Sequence, residues 1–204
     1  MHDPRYIKWF GATYVSDPTP GRHTAGGIDT LMLHPVARFT KEYNFKIDKK
    51  LEKTTKNHAL AVQFTQSINA LGLCSYSLAC GSYPLFELIQ SVFGWGFTPD
   101  EFLLIGQRIQ TLRQMFNARE GAIRHKIPKR LIGDPPLKKG PLKGVSLPIE
   151  EMIQGYYENI GFREDGVPKE ETLKLLDLDY CIQDLDNSRG RYQTIVNEYL
   201  RAKT

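Results

Sequence analysis

"TPDEFLLIGQRIQTLRQMFNAREG", residues 98–121, carries the strongest structural signal in the chain. Thr98 stands three residues before Glu101, the spacing of a capping box in which each side chain takes the other residue's backbone N–H. Pro99 suits the first helical position, where a missing N–H is no loss. Phe102, Ile105, Ile109, Leu112 and Phe116 recur at steps of three and four, which puts them on one helix face, and Gly121 supplies a stop. The spacing predicts a long helix with this apolar stripe as its core face.

Further helices follow on both sides. From Asn57 a helical pattern runs through Leu60, Phe64, Ile68 and Leu71, and Gly72 ends it. "SYPLFELIQSVFG" (82–94) reads as a second, short helix, with Ser82 as cap, Pro84 in the first turn and Gly94 after the end. "IEEMIQGYYENIGF" (149–162), "PKEETLKLLDL" (168–178) and "RGRYQTIVNEYL" (189–200) read as three more. Near the start, Asp3-Pro4 predicts a helix leading into "RYIKWFGATYV". "SDPTPGRHTAGG" (16–27) and the proline- and glycine-rich stretch 122–148 are loops, and 28–57 is weakly patterned. No alternating strand pattern appears, so the expectation is an all-α, multihelical chain. It divides into a loop-rich segment over 1–57, continuing a truncated helical domain, and a helical domain over 58–204.

Composition narrows the function. The chain has 204 residues, 41% hydrophobic and 25% charged, with a net charge of +4 spread over 27 basic and 23 acidic residues. A nucleic-acid partner is not implied by so even a distribution. No apolar run approaches the roughly 20 residues of a membrane span, and "MHDPRYIKWF" does not resemble a secretion signal. Three cysteines suit a reducing compartment, which predicts a cytoplasmic protein without a disulfide scaffold.

The residues offer little chemistry by pattern alone. Cys74, Cys80 and Cys181 form no C-x₂-C pair, and the five histidines include no pair at i, i+4. "PGRHTAGG" lacks the strand–loop–helix frame of a phosphate site. Arg108, Arg119 and Glu120 read as helix-surface ion pairs, Lys138, Lys139 and Lys143 as a solvated loop, and Cys80 and Cys181 as structural.

Several separated motifs do occur in a telling order. They are "NALGLC" (69–74), Gly94-Trp95, "IGQRIQTLRQMFNAREG" (105–121) and the run from Tyr156-Tyr157 to Leu178, preceded by "HDPR" and "YVSDPTPGRHT". Together they resemble the C-terminal part of the aldehyde ferredoxin oxidoreductase family, whose patterns are an acidic residue, two variable residues and then Gly-Leu-Cys, and iGxRixxLxRxFNxREG. The resemblance implies an enzyme with a tungsten or molybdenum pterin and a [4Fe-4S] cluster, oxidising an aldehyde with water to the acid and passing electrons to ferredoxin. It implies Cys74 as the last of four cluster ligands, Asn69, Gly72 and Leu73 as the pterin-contacting loop, and His23 near the substrate pocket.

Two departures stand out. Asn69 replaces the family's acidic residue, and an amide offers pterin N–H groups only a neutral acceptor. Pro20-Gly21-Arg22 stands where the family has an Arg directly before the Gly. Family members are also several times longer, with an N-terminal sheet domain and a C-x₂-C-x₃-C group not found here. The expectation is therefore that this chain alone binds no cofactor and is inactive, and that it partners a missing N-terminal region or subunit. It would expose an apolar patch where that part packs, and a homodimer is a further expectation. The alternative is a cofactor-free helical assembly subunit that keeps the family fold.

Overall fold

A computed structural model describes residues 2–24, 26–27, 47–74, 76–77, 84–121 and 125–184. Among them every regular element is a helix: α1 Trp9–Ser16, α2 Leu51–Ala70, α3 Leu85–Phe93, α4 Pro99–Arg119, α5 Lys129–Ile132, α6 Ile149–Ile160 and α7 Glu170–Leu175, followed by a 3₁₀ turn, Asp179–Cys181. The all-α expectation holds. The helix read over 189–200, Cys80 and the Ser82 cap lie outside the described residues.

The short α1 is buried along its whole length, as a helix that is apolar on every side must be. It begins at Trp9, not at Asp3-Pro4. The Asp3 carboxylate accepts the backbone N–H of Arg5 at 2.9 Å and its guanidinium at 2.7 Å. That local turn competes with a helical cap. The helix expected from Asn57 starts earlier, at Leu51, so α2 is continuous across residue 57. One core unites α1 (Phe10, Val15), α2 (Phe64, Ile68), α4 (Phe102) and α6 (Ile153, Tyr156). A smaller cluster gathers Met115, Leu173, Leu176, Leu178 and Cys181.

The capping box of α4 forms as its spacing predicts: Thr98 Oγ1 accepts from the Glu101 N–H at 3.3 Å, and Glu101 Oε2 accepts from the Thr98 N–H at 2.8 Å. The buried face of α4 is another matter. Phe102 is buried, but Leu112 is 42% and Phe116 57% exposed, and Ile105 and Ile109 are half-buried. The stripe expected to be core lies mostly at the surface. The face turned inward carries Leu103, Gly106, Gln110, Thr111, Gln114, Met115 and Ala118.

The reason is the distance between backbones. A Cβ built on Gly106 would stand 1.7 Å from the Gln63 carbonyl oxygen of α2. Only glycine permits that approach, and Ser67 Oγ donates to the Phe102 carbonyl beside it at 2.6 Å. The inward amides are satisfied by neighbouring backbone: the half-buried Gln107 donates to the Ile160 carbonyl at 3.0 Å and the buried Gln114 to the Gly166 carbonyl at 2.8 Å. Hydrophobic periodicity ranks leucine above glutamine and cannot foresee amides that find partners inside.

Within the proline-rich stretch 122–148, α5 adds a single turn that the sequence does not announce. Lys138, Lys139 and Lys143 are exposed, as a solvated loop requires.

Gly106→Ala is expected to destabilise the chain by about 3 kcal/mol or more, because it forces backbone against backbone rather than one flexible side chain against another. Gly96, whose Cβ would meet nothing within 4 Å, is the control. Urea unfolding of Gly96→Ala should match the parent within about 0.5 kcal/mol.

Candidate cofactor-facing site

The segment 69–74 is a helix terminus of defined geometry. Ala70 is the last helical residue of α2. The Leu73 N–H returns to the Ile68 carbonyl at 3.3 Å, and the Gly72 N–H to the Asn69 carbonyl at 3.0 Å. This pair of bonds is a Schellman motif, which needs a left-handed residue at the second place past the helix. Gly72 supplies it with φ +73° and open space where a Cβ would stand. The Gly-Leu-Cys order thereby gains a physical meaning: glycine turns the chain, leucine closes the motif, and cysteine is the next residue free to present its side chain. Asn69, Gly72, Leu73 and Cys74 are all exposed.

This terminus borders an uncovered apolar surface. Leu71, Leu73, Leu85, Leu88, Ile89 and Val92 line a groove of about 330 Å³. Val92 is 71% and Trp95 52% exposed, and Trp95 stacks on Phe93 with 4.9 Å between ring centroids. Gly94, at φ +73°, caps α3 and aims the chain toward this tryptophan.

A soft, exposed sulfur suits an iron–sulfur cluster, which takes four such ligands. Among the described residues no group of three or more His, Cys, Asp or Glu is placed to share a metal ion. Among the described residues the exposed Cys74 thiol by itself offers a single ligand position. Cys181, by contrast, is buried, and burial pushes its thiol up, in keeping with a packing role.

His23 occupies a different part of the molecule. Its ring lies edge-on to His2 at 4.8 Å and to Phe10 at 6.0 Å. No described hydrogen bond or ring contact joins it to residues 69–74. The loop just beyond it crosses α2 at Ala61–Val62, where a Cβ on Gly27 would stand 2.5 Å from the Val62 nitrogen. That crossing is about 13 Å of helix rise before Ala70. Gly26 and Gly27 thus serve close packing: a Cβ on Gly26 would strike the Thr13 methyl.

Two buried polar clusters hold this loop, and sequence reasoning assigned neither. The first is His58. The Gly26 carbonyl can only accept, so Nε2 carries the proton and donates to it at 2.9 Å, with Thr13 Oγ1 at 3.2 Å. The Trp9 and Tyr156 rings enclose the imidazole, and among the described residues Nδ1 has no partner. The second is Asp17, which is 2% exposed. It accepts from the Thr19 N–H at 2.8 Å, and from Gln110 and Arg113 at 3.4 Å each. Asn117 donates to the Pro18 carbonyl at 2.7 Å. Asn117 lies inside the quoted "FNAREG" stretch, the one sequence signal that could have flagged it. At the surface Arg108 pairs with Asp177, which lies beyond α7 and not on its own helix, and Arg119 with the adjacent Glu120.

These features define a class: an all-helical domain that presents one thiol at an exposed helix terminus beside a bare apolar face. Residues 1–178 match the family described as "Aldehyde ferredoxin oxidoreductase, domains 2 & 3", and the chain belongs to that family. The tungsten-containing aldehyde ferredoxin oxidoreductase of Pyrococcus horikoshii is 31% identical over 184 residues, 87% of this chain and 29% of that protein. Its counterpart in Pyrococcus furiosus is 30% identical over 181 residues, 85% of this chain and 29% of that protein. An "aliphatic sulfonate oxidoreductase, WOR-like subunit" of Pyrococcus furiosus is 31% identical over 113 residues, 51% of this chain and 18% of that protein. The chain thus spans under a third of the length of these relatives. Among the described residues no helix is long and apolar enough to cross a membrane.

Burial pulls the His58 imidazole down to about 4, against about 6.5 for a free one. Between those values the unfolded chain binds a proton that the folded chain refuses. The stability due to neutral His58 is therefore complete above about pH 6.5 and is lost as pH falls toward 4, by about 3 kcal/mol. Unfolding free energies at pH 7 and pH 4 should differ by about 3 kcal/mol less in His58→Gln than in the parent. Equal losses would assign the acid sensitivity to other groups.

Proposed function

We propose that this chain forms the helical part of an aldehyde ferredoxin oxidoreductase-like enzyme, and that Cys74 supplies one of four thiolates to a [4Fe-4S] cluster shared with a further region or subunit. The observation that carries the reading is the Schellman terminus of α2, which leaves Cys74 exposed beside an apolar face. Family membership and the tungsten named in its relatives support it.

In the assembled enzyme a tungsten or molybdenum pterin would oxidise an aldehyde, with water supplying the oxygen, and the cluster would pass electrons singly to a ferredoxin. This chain's residues bind and orient. The turn at Gly72, with no Cβ in the way, would let backbone contact the pterin, and the Asn69 amide would offer a neutral acceptor to its N–H groups. Leu73 and the groove along α3, once covered, would exclude water from the junction and give the cluster a low-dielectric setting. His23 would face the substrate. The substrate class is open beyond aldehydes, since a sulfonate oxidoreductase subunit is also among the relatives.

The test is anaerobic production of this chain alone and together with a region equivalent to the first two thirds of the relatives. The chain alone is expected to carry no stoichiometric Fe, W or Mo, to reduce no viologen with aldehydes, and to label rapidly at Cys74 but slowly at Cys181. In the assembly, Cys74 should become protected, and Cys74→Ser should remove the reduced-cluster electron paramagnetic resonance signal. A cluster that survives Cys74→Ser, or aldehyde turnover by the chain alone, overturns the proposal.

A further inference from the structure

We infer that Arg113 and Asn117 of α4 are positioning residues for His23, setting the path of the loop that carries it. The inference rests on the proposed function for the role given to His23; its geometry does not. The three residues that leave α1 are each held by one face of α4. Asn117 donates to the Pro18 carbonyl at 2.7 Å, Arg113 donates to Thr19 Oγ1 at 2.5 Å and to Asp17 at 3.4 Å, and Gln110 donates to Asp17 at 3.4 Å. Beyond His23 the chain is held again, where His58 donates to the Gly26 carbonyl at 2.9 Å.

Between these anchors His23 makes ring contacts with His2 and Phe10 and no hydrogen bond among the described residues. The direction of its imidazole therefore follows from where the loop runs. A histidine that handles a proton must lie within hydrogen-bond reach of it, and loops drift unless tied to rigid elements. The tie here is directional: a planar guanidinium and an amide on one helix, each aimed at a particular loop oxygen.

The test uses the full 204-residue chain, labelled with ¹³C and ¹⁵N, and reads the histidine Cε1–Hε1 resonances, with His23 assigned by His23→Gln. Asn117→Ala and Thr19→Val each cut the tie. Gln107→Ala removes a comparable bond from the same helix to the Ile160 carbonyl, which does not touch the loop. The His23 resonance should shift in Asn117→Ala and Thr19→Val and keep its parent position in Gln107→Ala, with similar thermal midpoints for Asn117→Ala and Gln107→Ala. Arg113→Lys, which keeps a cation opposite Asp17, should fall closer to the parent than Arg113→Ala. If Asn117→Ala fails to fold, Thr19→Val carries the test alone.

A His23 resonance unmoved by Thr19→Val, or moved equally by Gln107→Ala, overturns the inference. Failure of the enzyme reading would show as a cluster indifferent to Cys74→Ser and would leave these shifts untouched.

Discussion

The close approach of α2 and α4 is the constraint on which the rest of the structure depends. At Gly106 the Gln63 carbonyl occupies the space where any other residue would keep its Cβ. With the backbones that near, α4 has no room to insert a leucine ridge and must turn its small and amide side chains inward. The same device recurs where a Cβ on Gly155 of α6 would stand 2.6 Å from the Thr55 methyl of α2. Two helices are thus set against α2 by glycines, and α1 fills the remaining apolar space.

This choice makes the interior unusually polar. Gln110, Thr111, Gln114, His58 and Asp17 are all buried. Such groups are costly to bury unless they are paired, and among the described residues Thr111 Oγ1 and His58 Nδ1 are the atoms of this set left without a partner. Gln114 and Gln107 reach carbonyls near the end of α6 and in the turn beyond it, while Gln110, Arg113 and Asn117 reach the Asp17–Thr19 segment. Polar burial of this kind selects one arrangement more sharply than apolar packing does, because an amide out of register loses its partner outright.

The site inherits this order. α2 links the two regions of interest, with His58 and the Gly26–Gly27 crossing near its middle and the Cys74 terminus at its end. Because α2 is locked by α4 and α6, the Schellman turn is presented from a fixed helix end rather than from a free loop. The apolar face beside it is the natural counterpart. Groups that belong in a low-dielectric setting lie at an edge that a larger assembly can close.

Most of the longer helices, and several of their ends, were legible in the sequence by itself, because caps and stops are local chemistry. The capping box at Thr98–Glu101 and the glycine stops at Gly72 and Gly94 depend on neighbours within a few residues, and all three form as their spacing predicts. The prominence of Cys74 was legible through the motif that contains it. The buried face of α4, the start of α1, the tautomer and burial of His58, and the hold of α4 on the Asp17 loop were decided only by tertiary structure. Each depends on how near two backbones come, and that distance is set by glycines whose partners lie far away along the chain. Apolar periodicity tells which residues could be buried together; only the packed structure tells which face a glycine lets in.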